Sequence, residues 1–127
     1  DEVVARRREL AGRLSALLAE VDGIEPPVEP ERARHAWQAY VTVVDEDVDR
    51  DALIRALGER GIEATLGTYA LHTEPAYAGC ASSEELSVSA ALVRRTLALP
   101  LHEKLADADM DRVAEALADA IPRCRRT

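Results

Sequence analysis

The spacing of apolar residues changes repeatedly along the chain, and this feature restricts its fold more than any other. The first apolar residues recur three and four positions apart, which predicts an amphipathic helix from about residue 1 to Val21. From His35 to Val44 the sequence HAWQAYVTVV instead concentrates aromatic and β-branched residues, with apolar groups on both sides. This segment is predicted to be a central, well-covered strand.

Helical and extended patterns continue to alternate after this strand. A helix is predicted from its N-cap at Asp49 to about Glu59, and Gly61 is expected to end it in a left-handed conformation. Residues 62–71 alternate well enough for a second strand. The buried side of the helix is expected to hold Leu53, Ile54 and Leu57.

A third helix and a third strand are predicted after a loop over residues 73–83. Ser82 and Glu85 have the spacing of a capping box, and the helix they open is expected to bury Leu86, Leu92 and Val93. The short, proline-containing run at residues 97–101 predicts a strand near a sheet edge. Asp107 is expected to cap a last helix, whose inner stripe holds Met110, Val113, Ala114, Leu117 and Ile121.

These elements predict an α+β fold, with a small three-stranded sheet packed with about four helices. Three strands are too few for a doubly wound sheet with a ligand crevice of its own. The length of 127 residues suits one domain. Residues 1–127 are therefore expected to form a single domain, with a helix at 1–22, a proline-rich linker at 23–34, an α+β body at 35–121 and a tail at 122–127.

The charge balance makes several classes of partner unfavourable. There are 16 Lys and Arg residues against 24 Asp and Glu, a net charge of −8, which disfavours nucleic acids and acidic membranes. No apolar run approaches the roughly 18 residues that span a bilayer.

Cys80 and Cys124 are expected to be free thiols, and three scattered histidines do not predict a metal site. A cytoplasmic location is expected.

The first residue is Asp1, and Met110 is the only methionine. We therefore expect the chain to be a piece of a longer protein.

The most unusual stretch for chemistry is Gly67–Tyr77, GTYALHTEPAY. Two tyrosines, a histidine and a glutamate are concentrated where a predicted strand enters a loop, a common location for binding groups. An equally simple interpretation places Tyr69 in the core and His72 in water. The residues alone leave both interpretations open, and no nucleophile elbow or phosphate-binding loop is present.

Four stretches carry a resemblance to a known family: HAWQAYVTVV, DRDALIRALGERGIEA, TYALHTEPAY and LALPLHEKLADADMDRVAEAL. In this order and spacing, the chain resembles the C-terminal small domain of the DegT/DnrJ/StrS-type aminotransferases over essentially its whole length. Members of that family are pyridoxal-phosphate enzymes that transfer an amino group to nucleotide-linked keto-sugars. The resemblance implies the α+β small domain of fold type I aminotransferases, entered through a long domain-linking helix.

The resemblance also implies site residues. Tyr69 and His72 match a family segment, H-Y-x-P-L-H, on the sugar side of the active site, and Thr68 stands where many members have histidine. Tyr69, His72 and Thr68 are therefore the expected substrate-binding residues. The Thr68 departure implies either a changed substrate or lost activity.

The cofactor-bearing lysine is implied to lie in an N-terminal domain outside this chain. Lys104, the only lysine, matches no family position for it. No catalytic, cofactor-binding or metal-binding residue is expected within residues 1–127. The parent is expected to be a homodimeric enzyme, and this piece is expected to be inert alone. The alternatives are a standalone α+β domain that binds small molecules or proteins, and a catalytically dead, regulatory family member.

Overall fold

A small antiparallel sheet and four α-helices form the framework of the chain. The computed structural model describes residues 1–126. The predicted α+β fold is confirmed, with four strands instead of three. In chain order the elements are α1 (Glu2–Leu18), β1 (Ile24–Glu25), β2 (Tyr40–Val44), α2 (Arg50–Glu59), β3 (Thr65–Leu66), α3 (Ser87–Arg95), β4 (Thr96–Leu99) and α4 (Asp107–Ala120), with short 3₁₀ turns at Leu71–Thr73, Pro75–Tyr77 and Ile121–Cys124.

The strands are arranged in the order β1-β2-β4-β3. β2 is central, as predicted, and pairs with β4 in the register Tyr40 to Leu99 and Thr42 to Leu97. The prediction that the third strand lies near an edge is wrong, because β4 has β2 on one side and β3 on the other. Pro100 follows the last residue of β4, so no ladder hydrogen bond within the strand is lost to it.

Two of the predicted extended segments are shorter in the structure, and one strand was missed. β2 begins at Tyr40 instead of His35, because Trp37 adopts a positive φ of 52° that breaks the extended chain. Only Thr65–Leu66 of residues 62–71 forms a strand. β1 lies inside the predicted proline-rich linker and pairs Ile24 with Val44.

The core lies between one face of the sheet and helices α1, α2 and α4. Tyr40, Val44, Leu97 and Leu99 on the sheet join one buried cluster with residues of these helices. The predicted inner stripe of α4 is confirmed, since all five of its members are buried. The apolar side of α1 also lies in this core, with Leu10, Leu14 and Leu18 fully buried. Each such leucine contributes roughly 1.5–3 kcal/mol by leaving water.

The helix ends differ from the predictions in three places. α1 ends at Leu18 and not at Val21. The capping-box contacts between Ser82 and Glu85 form, but they close a turn and α3 begins only at Ser87. In α4 the helix-capping carboxylate is that of Asp109, which accepts from the Ala106 amide at 2.8 Å, while Asp107 is the first helical residue.

The buried face predicted for α3 is wrong. Ala90 is its only buried residue, whereas Leu86 and Leu92 are 41% and 39% exposed. By contrast, α2 agrees with the prediction: the Asp49 carboxylate accepts from the Ala52 amide at 2.9 Å, and Gly61 has a φ of 70°.

Ion pairs connect the outer sides of α1 and α4. Arg13 binds both carboxylate oxygens of Asp111, at 2.7 and 2.8 Å, and Arg6 binds Asp107 at 2.8 Å. These pairs are partly exposed, so each adds little to stability.

Cys80 is an exposed free thiol and Cys124 a buried one, as expected. Among residues 1–126, no helix combines the length and apolar character needed to cross a bilayer.

Candidate functional site

The candidate site starts at Gly67, where the chain leaves β3 and passes against the sheet. A Cβ atom at Gly67 would lie 2.6 Å from the Thr96 Cβ and 2.7 Å from the Val41 Cγ1. The Gly67 amide donates to the Thr96 carbonyl at 3.2 Å. Only glycine allows the chain to approach β2 and β4 this closely, and this approach sets the position of the residues that follow.

A buried alanine and two 3₁₀ turns hold the next residues. Ala70 is 4% exposed, and its carbonyl accepts both the Thr73 amide at 3.0 Å and the Thr73 hydroxyl at 2.7 Å. The Tyr77 amide donates to the Glu74 carbonyl at 2.9 Å. The segment is therefore locally hydrogen-bonded, and its side chains project from a defined backbone.

Tyr69 projects away from the core. It is 72% exposed, so the interpretation that placed this ring in the core is wrong. Its ring borders a groove of about 370 Å³, whose other lining residues are Asp51, Ile54, Arg55, Thr65 and Leu66.

The α2 side of this groove was not recognised from the sequence. Asp51, Ile54 and Arg55 have the i, i+3, i+4 spacing of one helix side, and this was the available signal. Ile54, predicted to be buried, is only partly so and contacts the edge of the core.

His72 lies in the first 3₁₀ turn and is partly buried. Its Nε2 atom is buried and has no hydrogen-bond partner within residues 1–126. A buried ring nitrogen without a partner costs free energy, as do the similarly unpartnered Trp37 Nε1 and Arg7 Nε, so His72 Nε2 is a candidate for a bond with a group outside the described residues.

Thr68 is half-buried, and its hydroxyl makes only a long contact, 3.4 Å, to the Tyr69 carbonyl. In the described part of the chain, no hydrogen bond joins the side chain of Thr68, Tyr69 or His72 to the side chain of another of the three. The three lie within five consecutive residues, but the structure does not connect them into a catalytic network.

Large apolar side chains are exposed along the stretch of chain from Leu66 to Leu92. We call them the 66–92 surface. They are Leu66, Tyr69, Leu71, Tyr77, Leu86, Val88 and Leu92, each 37% exposed or more. Only two other large apolar residues of the described chain are comparably exposed, Val3 and Val28. Where such side chains adjoin one another, exposed apolar area is typical of interaction surfaces.

Comparisons with known proteins identify the family. Residues 1–118 match the model of the DegT/DnrJ/EryC1/StrS aminotransferase family, and the chain belongs to that family. The spore coat polysaccharide biosynthesis protein SpsC of Bacillus subtilis (strain 168) is 34% identical in an alignment 127 residues long, which covers 95% of this chain and 33% of SpsC.

Solved structures agree with this assignment. The aminotransferase TlmJ from Streptoalloteichus hindustanus is 33% identical, with a TM-score of 0.85 over 96% of this chain and 32% of TlmJ. DesV of S. venezuelae, solved in complex with a ketimine intermediate, is 30% identical, with a TM-score of 0.83 over 94% of this chain and 32% of DesV. The chain thus spans about a third of the length of these relatives.

The resemblance implies pyridoxal phosphate as the cofactor. This cofactor requires a lysine in a pocket that lowers the pKa of the lysine amine. Lys104 is exposed, lies in a turn after His102 and does not line the groove beside Tyr69. Residues 1–126 therefore do not fit a covalent site for this cofactor.

Proposed function

We propose that this chain is the C-terminal small domain of a pyridoxal-phosphate-dependent aminotransferase that acts on a nucleotide-linked keto-sugar. Membership of the aminotransferase family supports the reaction class. Similarity to a spore coat polysaccharide biosynthesis protein supports a sugar as the substrate class. The cofactor and its lysine belong to the rest of the enzyme, and this chain is inactive alone.

The segment Gly67–Tyr77 forms one wall of the substrate pocket in this proposal. The Tyr69 hydroxyl, the His72 Nε2 and the Thr68 hydroxyl bind polar groups of the sugar. The 66–92 surface contacts the remainder of the enzyme, within a cytoplasmic homodimer. One observation carries the proposal. Tyr69 is largely exposed, and on the same hydrogen-bonded segment the buried His72 Nε2 has no partner within residues 1–126.

The test uses the full-length enzyme with Tyr69→Phe and His72→Ala. Each variant removes hydrogen bonds to the sugar, and a hydrogen bond between neutral groups contributes about 0.5–1.5 kcal/mol. We therefore expect kcat/KM for the keto-sugar to fall roughly threefold to tenfold, with more loss where a buried group is left unpaired. The absorbance of the bound cofactor should not change, because the cofactor is held elsewhere.

Tyr77→Phe is the matched control, since it removes the same hydroxyl from a second tyrosine of the segment. It should leave kcat/KM within error, and thermal melting should confirm that all three variants fold. Unchanged kinetics in both Tyr69→Phe and His72→Ala would contradict the role in sugar binding. A wild-type enzyme that binds the nucleotide sugar but turns over no amino donor would instead identify the regulatory alternative.

A further inference from the structure

One buried cation connects α2 with the chain that enters the candidate site. Arg50 is the first residue of α2 and is 8% exposed. Its Nε donates to the Asp51 carboxylate at 2.6 Å, and its Nη1 donates to the carbonyls of Val93 and Thr96, at 3.1 and 2.8 Å. The guanidinium therefore lies at the junction between α3 and β4.

The position of this cation is unfavourable for α2 itself. A positive charge opposes the dipole at the N-terminal end of a helix, and burial of a guanidinium costs free energy that its partners must offset. At the C-terminal end of a helix a cation is favourable, and Val93 supplies one of the last carbonyls of α3. The contacts of Arg50 thus stabilise the junction between α3 and β4 and not the helix that carries it.

The Thr96 carbonyl that binds Arg50 also binds the start of the candidate site. It accepts the Gly67 amide at 3.2 Å, one residue beyond the last pair of the β3–β4 ladder, Leu66 with Leu97. Thr96 also limits the approach of the chain, because its Cβ would lie 2.6 Å from a Cβ added at Gly67. A displaced Thr96 would therefore displace Gly67 and the residues that follow it.

A second contact of Arg50 also reaches the candidate site. Asp51, whose carboxylate binds the Arg50 Nε, lines the groove beside Tyr69. Arg50 thus contacts the carbonyl that receives Gly67 and a carboxylate of the groove lining. One side chain joins two parts of the site that are far apart in the sequence.

We propose that Arg50 is a positioning residue for the substrate-binding segment Gly67–Tyr77. By fixing the Thr96 carbonyl, it determines where this segment leaves the sheet and hence where Tyr69 and His72 lie relative to the sugar. Arg50 makes no contact of its own with the substrate. This inference rests on the proposed function, because it takes the segment to bind the sugar.

The test uses the full-length enzyme with Arg50→Met and Arg50→Lys. Methionine keeps an unbranched stem without the charge, whereas lysine keeps the charge without the planar set of donors. Arg95→Met is the matched control. The partly buried Arg95 also donates to a sheet carbonyl, that of Val44 at 2.8 Å, and within residues 1–126 its side chain does not bind the Thr96 carbonyl. Thermal melting compares the stability of the three variants.

Hydrogen exchange followed by mass spectrometry gives a readout that needs no substrate. In Arg50→Met, peptides over residues 67–77 should exchange roughly tenfold faster or more, because a charge-assisted hydrogen bond no longer fixes the carbonyl that receives Gly67. Peptides of α4 should keep their wild-type exchange rate. Arg50→Lys should be intermediate, and Arg95→Met should leave residues 67–77 unchanged. Unchanged exchange at residues 67–77 in Arg50→Met, or equally faster exchange in every element, would overturn the inference.

Kinetics test whether the position of the segment matters for the sugar. Amino transfer divides into a half-reaction with the amino donor and one with the keto-sugar, which single-turnover experiments measure separately. Arg50→Met should lower the second-order rate constant for the keto-sugar roughly tenfold to a hundredfold and that for the donor less than about twofold. Arg95→Met should change neither by more than about twofold. Equal losses in both half-reactions would indicate general damage and overturn the inference.

A double-mutant cycle tests whether Arg50 acts through the segment. If Arg50→Met displaces Tyr69, the further change Tyr69→Phe should cost less than it does in the wild type, whereas additive losses would overturn the inference. Losses in Tyr69→Phe and His72→Ala without a loss in Arg50→Met would reject the inference and keep the proposed function. Faster exchange at residues 67–77 in Arg50→Met, in an enzyme that transfers no amino group to a keto-sugar, would support the positioning contact and reject the proposed reaction.

Discussion

At the residue scale, Trp37 and His35 explain why β2 is shorter than its sequence predicts. The Trp37 amide donates to the Nδ1 of His35 at 2.8 Å, and the two rings lie 4.4 Å apart between centroids. This local bond accompanies the left-handed conformation of Trp37, which is rare outside glycine and asparagine. The Trp37 amide thus donates to a side chain two residues earlier and not to a neighbouring strand. β-propensities do not take such local bonds into account.

Tyr40 gives a pH-dependent prediction at the same scale. It is fully buried, and burial raises its pKa to about 12, although its hydrogen bond with Ser15 acts in the opposite direction. An unfolded tyrosine ionises near pH 10. The stability that Tyr40 contributes is therefore complete below about pH 10 and is lost as the pH rises toward 12, by at most about 2–3 kcal/mol.

Urea unfolding at pH 7, 10 and 11 checks this prediction against Tyr40→Phe. The variant should be less stable at pH 7 by about 1 kcal/mol, because Ser15 loses its partner. Its stability should then fall less steeply above pH 10, since phenylalanine cannot ionise. Parallel pH dependences for the wild type and the variant would contradict the assignment.

At the element scale, tertiary packing decides which side of α3 is buried, and the local spacing of its apolar residues does not. α3 has a helical spacing of apolar residues, yet it buries only Ala90. Its end is anchored by polar contacts: the buried Arg50 donates to the carbonyls of Val93 and Thr96, at 3.1 and 2.8 Å. These contacts satisfy carbonyls at the helix end without burying its apolar side.

Gly67 provides the test at this scale. Gly67→Ala would place a methyl group within 2.7 Å of atoms on β2 and β4, so we expect a loss of about 1–3 kcal/mol in unfolding free energy. Gly58→Ala is the control, because that glycine lies in α2 and a methyl group added there would meet no atom within 4 Å. The control should gain roughly 0.5–1 kcal/mol from helix propensity. Equal stabilities for the two variants in urea would refute the close approach at Gly67.

At the scale of the whole molecule, the exposed apolar side chains are distributed unevenly. Seven of the nine large ones belong to the 66–92 surface, whereas the apolar side of α1 is used inside the core. A protein surface with this much exposed apolar area tends to associate. The apolar side of α1 is therefore occupied by the core, and most of the exposed large apolar side chains belong to the 66–92 surface.

We expect the 127-residue chain to self-associate through the 66–92 surface. Replacing Leu71, Val88 and Leu92 by glutamine should shift sedimentation toward the monomer, because these residues are 65%, 71% and 39% exposed. Val28→Gln, at the most exposed large apolar residue outside the surface, is the control and should leave association unchanged. Identical sedimentation of the triple variant and the wild type would argue against this surface.

Lys104 supplies a second prediction at this scale. It is exposed, lies in a turn and does not line the groove beside Tyr69, so no pocket encloses its amine. Mixing this chain with pyridoxal phosphate should give no stoichiometric visible absorbance band. Recovery of a saturable, borohydride-trapped adduct at Lys104 would contradict the proposal that the cofactor lysine lies elsewhere.

Much of the fold followed from the sequence because several of its signals are local. α2 and the inner stripe of α4 agree with their predictions, since apolar periodicity and a capping side chain act over a few residues. The four stretches that carry the resemblance also identified the family, because their order and mutual spacing are properties of the chain itself.

Only the tertiary structure decided the features that depend on distant partners. β1 and β3 have two residues each, too few to show a period, and they exist because β2 and β4 lie beside them. The exposure of Tyr69 and the groove it shares with Arg55 likewise result from how Gly67 carries the chain against the sheet and where α2 packs. Burial is a relation between segments far apart in the chain, and no local pattern contains it.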